Sequence, residues 1–138
     1  MNTKFQQACV VPYRRQNNQI TFCLITSRSR GDWIFPKGNI DGDETPQEAA
    51  RKEALEEAGL EGEIVTDLGK FTYTKRGFAL LTSLQLMKVS HCKETWQEQD
   101  RQRCWVSSTQ AQKLIERNEM RTALEHAVFW LSKQGDHH

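Results

Sequence analysis

The chain has 138 residues, with 19 basic and 18 acidic side chains and a net charge of +1. Residues 1–138 read as one domain long enough for a real core, and so even a balance gives no bulk attraction to nucleic acid or an anionic membrane. No apolar run is long enough to span a bilayer and no signal-peptide pattern opens the chain, so a cytoplasmic protein with no membrane partner is expected.

Residues 6–13 (QQACVVPY) read as a first strand, residues 14–19 as a polar turn, and residues 20–26 (ITFCLIT) as a buried strand rich in β-branched and aromatic side chains. Residues 27–32 form a loop carrying Arg28 and Arg30. Trp33, Ile34 and Phe35 then lead into Pro36, Lys37 and Gly38. Arginines in a loop are usually just solvated, but beside a metal–phosphate site they can neutralise a polyphosphate.

A helix is expected next. Thr45 suits the N-cap, Pro46 the first turn, and Glu48 completes a Thr-x-x-Glu capping box. Gly59 is a natural stop. Glu53, Glu56 and Glu57 then share one face, with Ala54, Leu55 and Ala58 expected roughly opposite and docked on a sheet. Like charges at this spacing repel. A divalent cation would relieve the repulsion, and hard oxygen ligands favour Mg²⁺ or Mn²⁺. Three glutamates alone read better as a solvated acidic face, since Glu-rich surface helices are common. The Gly38 loop, the capping box and the glycine stop set this stretch apart.

Residues 63–74 and 78–89 look like two long strands joined by a hairpin at residues 75–77. Lys75 and Arg76 are either turn charges or a second phosphate contact. Residues 91–101 are polar and acidic around Trp96, a mobile loop from which Glu94 or Glu98 could approach a metal. Residues 104–106 form a short strand. Ser107 or Ser108 caps a helix to about residue 116, and residues 121–133 form the last helix, with Leu124, Ala127, Val128 and Leu131 on its packing stripe. Cys9, Cys23, Cys92 and Cys104 are scattered, as expected of reduced thiols rather than disulfides or zinc ligands. The closing Gly135, Asp136, His137 and His138 read as a frayed tail rather than a metal site. The order of strands, helix, strands and helices suggests an α/β fold, a mixed sheet with helices on both faces.

The stretch from Gly38 to Leu60 resembles the Nudix box of the Nudix hydrolases: Gly38, Glu44, Glu53, Glu56, Glu57, Gly59 and Leu60 match its pattern. Ala54 fills the apolar slot, and Lys52 stands where the family has Arg. Lys can pair with Glu44 as that Arg does, though not in a bidentate fork. The resemblance covers nearly the whole chain and implies an α/β/α sandwich that hydrolyses a phosphoanhydride bond by in-line attack of water. It implies Mg²⁺ held by Glu53, Glu56 and Glu57, with the Gly38 carbonyl as a further ligand. One glutamate takes the water's proton, and Glu53, Glu56 and the loop acid Glu98 all remain open for that role. Glu44, Lys52 and Gly59 are structural. Arg28, Lys37, Lys75 and Arg76 are candidate phosphate contacts.

The surroundings of the box look like those of diadenosine polyphosphate and diphosphoinositol polyphosphate phosphohydrolases. Arg28 five residues before Trp33, the basic pair Lys75 and Arg76, and Trp96 followed by Trp105 carry this likeness. The Pro36-Lys37-Gly38 form is nearer the diadenosine tetraphosphate enzymes, so a diadenosine polyphosphate is the expected substrate. A diphosphoinositol polyphosphate, a nucleoside triphosphate and an RNA 5′ end are the enzymatic alternatives. A nucleotide-binding sensor module is the alternative from another class.

Overall fold

A computed structural model describes residues 5–134; the four terminal residues read above as a tail lie outside the described residues. The elements are β1 (Gln7–Gln16), β2 (Gln19–Thr26), β3 (Trp33–Ile34), β4 (Lys37–Asn39), α1 (Pro46–Ala58), β5 (Leu60–Lys75), β6 (Phe78–Cys92), β7 (Arg103–Val106), α2 (Ser108–Leu114) and α3 (Asn118–Gln134). The expected architecture holds: the strands form one mixed sheet with helices on both sides. Its main path is β3-β2-β1-β6-β5, with β4 paired to β1 and β7 to β2. β1 and β6 run parallel. Ala8, Cys9, Val10 and Val11 at the centre of β1 are fully buried. A strand covered on both faces reads as a continuous apolar run rather than an alternating one.

The hairpins are tighter than the sequence suggests. The polar stretch between β1 and β2 contributes only Asn17 and Asn18 as a turn, with φ of 53° and 64°. Two consecutive positive φ values define a two-residue turn whose twist matches the flanking strands, and Asn tolerates them. Arg76 and Gly77 repeat this between β5 and β6, with φ of 52° and 82°.

α1 begins as expected, with Thr45 as N-cap, both halves of the capping box and Pro46 in the first turn. Its packing face differs from expectation. Ala49, Ala50, Glu53, Ala54, Glu57 and Ala58 are buried, and Leu55 is exposed. At about 3.6 residues per turn, positions 50, 53, 54 and 57 form one stripe. Glu53 and Glu57 therefore lie within the buried arc rather than opposite it, and Leu55 falls outside. The alanines let the helix approach β1 and β4 closely, which puts two carboxyl groups against the sheet.

α3 buries Leu124, Ala127 and Leu131 as expected, together with Met120 and Ala123, while Val128 is half-buried. The four cysteines are free. No helix among the described residues is long and apolar enough to cross a membrane.

Candidate active site

The site is built where α1 meets β4. A side chain on Gly38 would overlap the Glu53 carboxyl group, so glycine at this position lets the β4 backbone lie directly on that carboxylate. One residue earlier, the Lys37 N–H donates to Glu57 Oε1 at 3.2 Å. Burial pushes the Glu57 carboxyl up to about 8, with Arg101 offsetting part of the rise. Glu53 is also raised, first by burial. Glu56 is half-buried at the edge of the same face.

The segment expected to be a mobile loop is tied to the end of α1. The last carbonyls of a helix lack intrahelical partners, and residues 93–103 supply them. The Glu98 N–H donates to Glu56 O at 3.0 Å and the Lys93 N–H to Gly59 O at 2.8 Å. Trp96 Nε1 donates to Glu57 O at 3.0 Å, and Arg103 Nη1 donates to Ala58 O at 2.7 Å. Arg103 also stacks on the Trp96 ring, 4.0 Å from its centroid. No basic residue lies in the last turn of α1 itself, so Arg103 brings the cation that the negative end of the helix favours. Gly59 has φ 68°, and a Cβ there would fall 2.9 Å from Trp96.

This docking carries Glu98 and Arg101 to the glutamates. Arg101 is one-tenth exposed and lies 3.7 Å from Glu57 Oε2. It donates to Glu98 Oε1 at 2.9 Å and to Thr26 O at 2.9 Å. Arg28 reaches the same Glu98 oxygen at 3.3 Å and donates to Asp100 at 2.9 Å.

Beyond Glu57 a cleft of about 890 Å³ opens, lined in part by Arg28, Arg30, Lys37, Gly38, Lys75, Arg101 and Arg117. Lys37 is half-buried and donates to Tyr73 Oη at 2.7 Å. Arg117 grips Asp32 through Nε at 2.8 Å and Nη2 at 2.9 Å, which fixes the loop bearing Arg28 and Arg30. The Arg117 hydrogen bond is also the main reason that the Asp32 carboxyl is held well below its ordinary range.

Of the sequence candidates, Glu57, Gly38, Arg28, Lys37 and Lys75 line the cleft. Glu53 lies behind Gly38, and Glu98 beside Arg101. Arg76 is not among the lining residues: it occupies the left-handed position of the hairpin turn, which is exposed. Lys52, which stands where the resemblance has Arg, bridges two carboxylates, with Nζ 2.9 Å from Asp41 and 3.0 Å from Glu44. Glu94 forms none of the contacts described for Glu98. Sequence reasoning missed Arg101 and Arg117, which lie far along the chain from the box and carry no motif.

Among the described residues, no three His, Cys, Asp or Glu side chains stand ready-converged on a metal. The donor set nevertheless suits a hard divalent cation. Two buried carboxyl groups whose charged forms are disfavoured by burial gain most from an adjacent positive charge.

A family model described as NUDIX domain matches residues 4–127. The chain is 36% identical over 122 residues to Nudix hydrolase 21, chloroplastic, of Arabidopsis thaliana, covering 83% of this chain and 62% of the relative. It is 28% identical over 116 residues to diphosphoinositol polyphosphate phosphohydrolase 2 of Rattus norvegicus, covering 82% and 63%. It thus spans just under two thirds of the length of these relatives. The crystal structure of a C. elegans Ap4A hydrolase superposes with a TM-score of 0.76 at 24% identity, over 94% of this chain and 99% of that one.

Proposed function

The chain belongs to the NUDIX domain family, and on that premise we propose that it is a Mg²⁺-dependent hydrolase of a phosphoanhydride bond in a diadenosine polyphosphate. One observation carries the reading: Glu57 opens onto a cleft of about 890 Å³ whose walls hold Arg28, Lys37, Lys75 and Arg101. Carboxylates at one end and cations along the walls suit a metal-assisted reaction on a chain of phosphates.

Glu53, Glu56, Glu57 and the Gly38 carbonyl are the residues that would hold the cation. When bound, Mg²⁺ (or Mn²⁺) supplies neutralisation of charge on the phosphate oxygens. Lys37 and Arg101 flank Glu57 and take up the negative charge that develops as the anhydride breaks. Arg28 and Lys75 bind phosphates further along the chain. Removal of the attacking water's proton falls to Glu53 or Glu56. Glu98 already pairs with Arg28 and Arg101 and is assigned to holding them in place. Asp32 and Arg117 fix the loop that carries Arg28. A reducing compartment such as the cytoplasm suits the four free cysteines.

The test is a substrate panel with Mg²⁺: diadenosine tetra-, penta- and hexaphosphate, diphosphoinositol polyphosphates, nucleoside triphosphates, ADP-ribose and 5′-triphosphate RNA. Glu57→Gln serves as the blank. Preferential cleavage of the diadenosine compounds is expected, with kcat lowered about 10²- to 10⁴-fold in Glu57→Gln. A clear preference for a diphosphoinositol compound, the substrate class in the rat relative's name, would replace the diadenosine reading. Binding of nucleotides without turnover above the blank would make the domain a sensor.

A further inference from the structure

Four side chains from three strands form a continuous hydrogen-bonded chain along one wall of the cleft. Lys37 Nζ donates to Tyr73 Oη at 2.7 Å, and the same ammonium lies over the Tyr73 ring, 4.0 Å from its centroid. The Tyr73 hydroxyl donates to Gln7 Oε1. Gln7 Nε2 then donates to Asn39 Oδ1 at 3.1 Å. The β1–β4 register sets Gln7 opposite Asn39, whereas Tyr73 comes from β5, two strands from β1 in the sheet. All four residues line the cleft.

Donor chemistry fixes the direction of this chain. An ammonium can only donate, so the phenol oxygen accepts and its proton is left for Gln7. The Gln7 carbonyl is used in accepting it, which turns the amide nitrogen to Asn39. Gln7 is buried, so its carbonyl needs a donor, and the phenol is that donor.

Charge distinguishes Lys37 from most cations of the cleft. Arg28 pairs with Glu98 and Asp100, Arg30 and Arg117 with Asp32, and Arg101 with Glu98 and Glu57. Lys37 makes its side-chain hydrogen bond to a neutral phenol instead. Lys75 forms no ion pair among the described residues either, but it is exposed, whereas Lys37 is half-buried. An ammonium hydrogen-bonded to a neutral phenol rather than to a carboxylate leaves its charge available to an incoming anion. The aromatic face and the phenol oxygen compensate part of its lost hydration without cancelling that charge.

We propose that Tyr73 is a positioning residue acting through Lys37: its hydroxyl and ring hold the ammonium on the wall of the cleft, already aimed at a phosphoryl oxygen of the bound substrate. The inference rests on reading the cleft as a polyphosphate site. Gln7 and Asn39 set the orientation of the phenol. Lys37 therefore loses little side-chain freedom when substrate arrives, which is what preorganisation contributes to binding.

A double-mutant cycle tests this. Tyr73→Phe keeps the ring and removes one hydroxyl, and Lys37→Met removes the cation. Each variant, and the pair, is measured with Mg²⁺ by calorimetric binding of methylenebisphosphonate, which is not hydrolysed, and by kcat and KM on the best substrate of the panel. Tyr73→Phe is expected to weaken binding about five- to tenfold where Lys37 is present, and by less than about twofold in the Lys37→Met background. KM should rise more than kcat falls. Gln7→Met repeats the test one link further out and should likewise act only where Lys37 is present. Equal losses in both backgrounds overturn the proposal, because Tyr73 would then act on the ligand or the fold independently of Lys37. No loss in either background, or no bisphosphonate binding by the parent protein, overturns it as well. Coupling in the binding measurement without turnover of any compound leaves this inference standing and removes the hydrolase reading.

Discussion

The two ends of α1 are finished in different ways. At the N-terminus the partners are neighbours in the chain. Thr45 and Glu48 cap each other's backbone three residues apart, and Lys52 reaches Asp41 and Glu44 across eleven and eight residues. At the C-terminus they come from far away: Trp96 meets Glu57 O across 39 residues and Arg103 meets Ala58 O across 45. Glu57, the α1 carboxylate that lines the cleft, sits at the second end. The first end holds the helix together, and the second also decides where Glu98 and Arg101 stand relative to Glu57.

Substitutions at the two ends should therefore differ in kind as well as size. Arg103→Met should have the largest effect. It leaves the Ala58 carbonyl without its donor and removes the stack on Trp96, at a cost of about 2 kcal/mol in urea unfolding. It should also lower kcat, because the 93–103 segment that carries Arg101 loses an anchor. Full activity in a destabilised Arg103→Met protein would mean that this segment does not set the site.

Thr45→Ala comes next. Loss of an N-cap costs about 1 kcal/mol, and kcat at saturating substrate should stay at the parental value. A fall in kcat with Thr45→Ala would erase the distinction between the two ends. The smallest effect is expected from Lys52→Arg. Lys52 already bridges Asp41 and Glu44, and Arg keeps the charge that both pairs need, so neither the urea midpoint nor kcat should move. A clear gain in rate would show that a rigid fork at this position governs the chemistry.

The same contrast explains what could be read from the sequence. The capping box, the Gly59 stop and the glutamate spacing were legible because each rests on hydrogen bonds or steric demands within a turn or two of helix. The Asn17–Asn18 turn was found only as a broad polar stretch and the Arg76–Gly77 turn as a hairpin one residue longer, since the positive φ values that make them two-residue turns depend on the pairing of the flanking strands. The burial of Glu53 and Glu57 and the exposure of Leu55 ran against expectation. The helix turns toward the sheet the face that its alanines allow to approach, and the carboxyl groups share that face. Arg76 looked equivalent to Lys75, but adjacent positions in a tight turn point to different places, and only Lys75 lines the cleft.

The sequence by itself determined where α1 starts and stops, which acids it carries and that a buried strand precedes it, because those features follow from short-range hydrogen bonding and from the hydrophobicity of contiguous residues. Only the tertiary structure decided that Arg101 stands beside Glu57, that Arg117 fixes the Arg28 loop, and that Lys37 rests on Tyr73. Those contacts join strands, helices and loops tens of residues apart. Their partners are chosen by strand register and helix docking, which no local pattern encodes.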